Sequence, residues 1–312
     1  MTDQNTSVAH RYEHQGLLGT VIDVRVVADD EATADAADAA AVDEIGRLER
    51  VFSSFDDSSE LCRWRNNEPF GLSRQFAELM GHALDWQISS AGGFNPLAGE
   101  LGALWRRAEA DGELPNKSEV AAAAASIRAP RYEMVDGSPV ATGDCTALNL
   151  NAIAKGYVVD RALDAASGPG VAWVCVNAGG DLAHRGSGSV RAGIENPHRP
   201  YDNEPPLSII EIADAALATS GDARRGFRVG GRWFGHVLDP STGWPVEEIA
   251  SISVVAGDAL TADGLATVAG VMAPGDAVDF LDGLDGVQGL VIGRDRQQLT
   301  TTGWAGLVIN SS

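Results

Sequence analysis

Near residue 170 the spacing of apolar residues changes period, and that change limits the folds open to the chain. Upstream, residues 31–51, 73–90, 97–109, 119–126 and 153–166 carry apolar groups at helical spacing. Downstream, residues 171–176, 190–194, 207–212, 233–238, 249–255 and 289–292 are short β-branched runs that read as strands. A strand over 17–27 opens the chain, a hairpin over 132–140 turns at Asp136-Gly137, and one late helix covers 259–272. Helices and strands interleave without a regular βαβ period. That order predicts an α+β fold with a mixed or antiparallel sheet core and packed helices, rather than a doubly wound sheet. Residues 53–59 and 111–116 read as turn and loop, and with no internal repeat or linker the chain reads as one domain over 1–312.

With 312 residues, 44% of them hydrophobic, the chain can bury a large core. Its 44 acidic against 23 basic residues give a net charge of −21. Non-specific nucleic-acid and anionic-membrane surfaces need clustered cations, so neither partner fits. An anionic ligand must therefore meet locally placed donors or a metal. No stretch reaches membrane-spanning length, so no membrane insertion is expected, and residues 1–15 carry neither a basic start nor an apolar run; the expected location is cytoplasmic. Cys62, Cys145 and Cys175 lack the paired spacing of a zinc or redox site and read as reduced core thiols.

Five segments carry chemistry. Asp263 and Thr267 stand four residues apart in a helical stretch, which puts two hard oxygens on one face, a donor pair suited to Mg²⁺ or Ca²⁺. The same Asp also suits a first helical turn for electrostatic reasons alone. In Asn149-Leu150-Asn151-Ala152-Ile153-Ala154-Lys155-Gly156-Tyr157 a lysine, one of two in the chain, occupies the first turn of a helix. A cation there opposes the macrodipole, so Lys155 either points into solvent or faces something anionic. Asn177-Ala178-Gly179-Gly180-Asp181 and Thr219-Ser220-Gly221-Asp222 end strands in turn residues. His236-Val237-Leu238-Asp239-Pro240-Ser241-Thr242-Gly243 brings a histidine to a strand end, where it serves as a general base or as a structural hydrogen-bonder.

The order and wording of these segments resemble the ApbE family, the FAD:protein FMN transferases. Upstream, Gly16-Leu17-Leu18-Gly19-Thr20, Leu48-Glu49-Arg50-Val51-Phe52-Ser53, Ser58-Ser59-Glu60-Leu61 and Gly92-Gly93-Phe94-Asn95-Pro96 extend the likeness to about residues 16–301. The resemblance implies an ApbE-like architecture related to the T-fold. It also implies metal-dependent transfer of FMN from FAD to a threonine hydroxyl of an acceptor flavoprotein, with release of AMP. FAD is then the substrate, and Mg²⁺ or another divalent cation the cofactor.

Carried over position by position, the resemblance makes Asp263, Thr267 and the carbonyl of Ala152 metal ligands. It places Leu18, Phe55, Gly93, Phe94, Asn95, Asn149, Lys155 and the main chain at Leu238 against FAD, with Phe55 and Phe94 offering stacking surface. His236 and Asp263 are the catalytic candidates for taking the threonine proton. Two positions depart from the pattern: Asn149 and Asn95 stand where relatives often carry Asp, which keeps an acceptor oxygen and removes the charge. Two rival readings use the same residues, an FAD pyrophosphatase with water as nucleophile and a non-catalytic flavin-binding protein.

Overall fold

The computed structural model describes residues 8–201, 203–221 and 225–309; Asp222 of the Thr219 segment lies outside them. The N-terminal half runs β1 (Val8–Leu17), β2 (Thr20–Ala28), α1 (Glu31–Phe52), α2 (Glu60–Arg65), α3 (Arg74–Ser89), α4 (Gly99–Asp111), α5 (Lys117–Ser126), β3 (Tyr132–Val135) and β4 (Ser138–Ala141). Then follow α6 (Ala154–Ala166), β5 (Val171–Ala178), β6 (Asp181–Gly186), β7 (Val190–Ile194), β8 (Ser208–Ile212), β9 (Ala216–Gly221), β10 (Gly226–Val229) and β11 (Arg232–Gly235). The chain closes with β12 (Ile249–Ala256), α7 (Ala259–Ala269), α8 (Pro274–Asp282), β13 (Gln288–Gly293) and β14 (Gln298–Thr300).

Eight strands join in one sheet of order β1-β2-β5-β6-β9-β12-β13-β14, and every neighbouring pair is antiparallel. The α+β expectation holds, with an antiparallel rather than mixed sheet. Helices α1, α6, α7 and α8 pack on one face. α1 shows why: Asp30 caps it by accepting from Thr33 N, and Ala34, Ala37, Ala41, Ile45, Leu48 and Phe52 fall on one buried stripe. The β7–β8 hairpin covers the other face, so central strands are apolar on both sides. In β12 every residue is buried; Ile252 and Val254 join the α7/α8 core, while Val255 packs with Leu182, Leu217 and Ile210 on the far side. Each such Val, Leu or Ile contributes roughly 1.5–3 kcal/mol by leaving water.

Some elements differ from the sequence expectation. The strand over 17–27 is two strands, because Leu18 (φ 52°) and Gly19 (φ 65°) make a tight turn with β1 before it. β1 is an edge strand and mostly polar: Tyr12 Oη donates to Asp35 at 2.6 Å, and His14 Nε2 bonds Asp38 at 2.8 Å. The strand over 233–238 stops at Gly235, which leaves His236 in the loop that follows. α2, only six residues long, is too short to display a helical period. Among the described residues no helix is long and apolar enough to cross a membrane.

Candidate functional site

The site is built where α6 and α7 begin. Gly156, in the first turn of α6, touches α7 so closely that a Cβ would overlap the Ala259 carbonyl oxygen and reach within 2.9 Å of Asp263 Cβ. Only glycine permits that approach. Its amide then donates to Asp263 Oδ2 at 3.1 Å, so the carboxylate from α7 caps α6, whose own N-cap residue, Ile153, supplies no side-chain bond.

Lys155 lies beside this contact, and its Nζ stands 2.8 Å from Asp181 Oδ2. Asp181 opens β6 directly after the Gly179-Gly180 turn, where φ values of 61° and 105° exclude most side chains. The carboxylate is 1% exposed; its Oδ1 accepts from Thr219 N at 3.3 Å, while Oδ2 has no well-aligned hydrogen bond and relies on the ammonium. Burial pushes the Asp181 pKa up, and Lys155 opposes the shift. Asp263 is pushed well above the usual carboxylate range, first by burial and then by the negative charge of Asp181. Although its residue keeps some surface open, the carboxyl group itself is crowded by the two helix starts. Lys155 therefore faces an anion, as one of its two sequence readings required.

Thr267, one turn after Asp263, donates to the Ala152 carbonyl at 3.3 Å, so the three expected metal ligands converge on the α6/α7 junction. Two carboxylates and one ammonium meet there among oxygen donors, and the raised pKa values of Asp181 and Asp263 follow from burial and from how little their charge is compensated. That environment suits a hard divalent cation. Among the described residues no three His, Cys, Asp or Glu side chains group closely enough to hold a metal ion by themselves.

The other expected residues fall into three groups. The turn after α1 holds Phe55, 92% exposed, and Ser54 Oγ donates to Asn151 Oδ1 at 3.4 Å, which ties the turn to the Ala152 loop. Leu18 joins this edge through its amide, which donates to Glu49 Oε1 at 2.9 Å. Gly93, Phe94 and Asn95 sit beside Asn149, whose amide donates to Pro96 O at 2.8 Å. The Phe94 ring is buried in the core, so it offers no stacking surface. Asn95 donates to Ile127 O at 2.8 Å and accepts from Leu97 N, so its side chain is spent on the fold. Leu238, paired with Pro245, belongs to the third group with His236. His236 interacts with Arg225, not with the acidic pair; packing around the ring, then the Arg225 guanidinium, lower its pKa below the ordinary imidazole value. Solvent still reaches the residue.

Sequence reasoning gave no role to Asp181 and none to Asp160. Asp160, on α6, accepts from the Ala259 and Leu260 amides at 2.8 and 2.9 Å and so holds the start of α7 in place. The one available signal was an acid directly after a glycine pair ending an apolar strand.

An antiparallel α+β fold thus brings a lysine and two carboxylates together at paired helix starts. The sequence matches the ApbE family over residues 18–291, and the chain belongs to that family and, with it, to the transferases. The FAD:protein FMN transferase of Vibrio cholerae is 32% identical over 248 residues, 75% of this chain and 73% of that protein. The enzyme of the same name from Treponema pallidum is 26% identical across 92% of this chain and 85% of its own. The crystal structure of the ApbE protein from Thermotoga maritima superposes with a TM-score of 0.78 at 26% identity, covering 96% of this chain and all of that one. The apo flavinyl transferase ApbE of Pseudomonas stutzeri, at 22% identity, shares the fold with a TM-score of 0.79 over the full length of both chains.

Proposed function

We propose that this chain is an FAD:protein FMN transferase that moves FMN from FAD to a threonine hydroxyl of an acceptor flavoprotein, in a reaction that needs a divalent cation and releases AMP. The observation that carries the reading is the junction itself. Lys155, Asp181 and Asp263 meet where the Gly156 amide and the Thr267–Ala152 pair also converge. The whole chain, 1–312, acts as one domain in this reading, because strands from both ends of the sequence share one sheet. A cytoplasmic setting belongs to the same proposal, and the three cysteines are buried free thiols in keeping with it.

Asp263, Thr267 and the Ala152 carbonyl would hold Mg²⁺ or another divalent ion. Such an ion neutralises diphosphate charge and polarises the phosphorus under attack. The chain's own groups do the rest. Lys155 adds fixed positive potential at the start of α6, with Asp181 setting its position. Phe55 presents an open ring face for stacking, while Leu18, Gly93, Asn149 and Leu238 shape the remainder of the FAD site; Phe94 and Asn95 contribute backbone only. As the threonine oxygen bonds to the FMN phosphorus, the P–O bond to AMP breaks and the hydroxyl proton must leave. We assign that proton to His236, which is open to solvent and whose lowered pKa favours the neutral, proton-accepting ring, because Asp263 accepts from Gly156 N and would be turned toward the cation.

Incubating the purified chain with FAD and Mg²⁺, with and without a candidate acceptor flavoprotein, tests this directly. AMP should appear only with the acceptor, matched by FMN bound covalently to it. Free FMN formed equally well without the acceptor would replace transfer by hydrolysis, and unchanged FAD in both arms would leave a binding protein.

A further inference from the structure

α2 ends in two arginines whose surroundings differ. Arg63 is fully engaged: its guanidinium stands 3.4 Å from Glu68 Oε2, donates to the Pro69 carbonyl at 3.4 Å and lies 4.4 Å over the Phe70 ring. Arg65, half-buried, has no carboxylate partner among the described residues. Its neighbours are uncharged, the Cys62 thiol and the Ser54 hydroxyl, the latter 3.4 Å from Nη2. Nε is buried and makes no hydrogen bond. Burial accordingly lowers the guanidinium's pKa from its ordinary value.

Taking a charge out of water without a counter-ion is costly, and this chain has 44 acidic residues from which to supply one. The helix C-terminus, whose last turn holds Arg63 as well as Arg65, offers only the partial charge of its carbonyls, less than a carboxylate would. Ser54, which Arg65 touches, also bonds Asn151, and the next residue, Ala152, offers its carbonyl to Thr267 at the α6/α7 junction. Ser54 is also the neighbour of the exposed Phe55.

We propose that Arg65 is a phosphate-binding residue of this site, a second fixed cation that completes its charge balance when the diphosphate of the substrate enters between the Ser54 turn and the α6 start. The inference rests on the FAD reading above, but the group it recognises is the phosphate oxyanion. Guanidinium suits that task because its planar fork donates two parallel bonds to phosphate oxygens.

Binding of FAD, inorganic pyrophosphate and riboflavin to the full chain, measured by calorimetry in the presence of Mg²⁺, separates the roles. Arg65→Gln should weaken FAD and pyrophosphate about 10- to 100-fold, the usual cost of losing a charged phosphate contact, and leave riboflavin, which lacks phosphate, unchanged. Arg65→Lys should recover part of the loss by restoring the charge. Unchanged pyrophosphate affinity in Arg65→Gln overturns the assignment, as does an equal loss for riboflavin, which would mark a purely structural residue. A wild-type chain that binds pyrophosphate but not FAD would sink the FAD reading while still testing Arg65.

Discussion

Helices α6 and α7 lie against each other with their first turns in contact, yet their N-termini are finished in opposite ways. The start of α7 is closed. Asp258 accepts from Thr261 N at 2.7 Å and from its hydroxyl at 2.9 Å, and Asp160 takes the Ala259 and Leu260 amides. The start of α6 has no side-chain cap of its own and no acid in its first turn; it carries Lys155 and borrows one oxygen from Asp263. Both ends face the same dipole problem. One end is capped entirely by acids, and the other carries a lysine paired with a carboxylate, which is the end the proposed function gives to the ligand. Asp258 and Asp263 are five residues apart on one helix, and only the second faces the open helix start.

The contrast can be broken from either side, and the largest effect belongs to the ligand side. Asp263→Ala should abolish FMN transfer, a loss of at least about 1,000-fold in rate, while the far-ultraviolet circular dichroism stays native. Retained activity that still required a divalent ion would remove Asp263 from the site. Next comes Gly156→Ala, which drives a methyl into the Ala259 carbonyl and should cost roughly 1–3 kcal/mol in urea unfolding, with weaker FAD binding because the two helix starts separate. An Ala variant as stable as the parent would show that the contact has room to relax.

The closed end gives a pH effect of comparable size. Burial raises the Asp160 carboxyl from 3.8 to about 6. The folded chain thus holds this proton over an interval in which the unfolded chain has released it. Stability must therefore fall as pH rises from about 4 to about 6, by up to about 3 kcal/mol from this group, and the contribution is constant above that range. Asp160→Asn should flatten that part of the stability profile; an unaltered slope would mean the group does not titrate there. Smallest is Asp258→Ala, where loss of an ordinary N-cap should cost about 1 kcal/mol and leave FAD affinity unaltered.

The sequence made the pairing of Asp263 with Thr267 legible because i, i+4 spacing on a helix is a local property, and the two stand one turn apart on α7. Long helices and central strands were legible for the same reason, their apolar period being written within each segment. β1 was not, since an edge strand with one neighbour has no need of alternating apolar residues. Nor was Asp181 readable as a partner of Lys155, because their contact depends on β6 leaving the glycine turn beside α6, a long-range outcome of sheet order. Phe55 and Phe94 look alike in sequence, whereas one ring is open to solvent and the other lies in the core. Asn95 likewise shows its structural duty only once Ile127 and Leu97 are seen beside it.

The most direct measurement is an FAD titration of three proteins, the parent, Asp263→Ala and Asp258→Ala, each with and without Mg²⁺. If the open start of α6 is where the cation and diphosphate meet, Mg²⁺ should tighten FAD binding in the parent and in Asp258→Ala by the same factor, and have no effect in Asp263→Ala. An equal Mg²⁺ enhancement in all three would contradict the account, because the acid that faces the ligand would then count no more than the one that caps a helix.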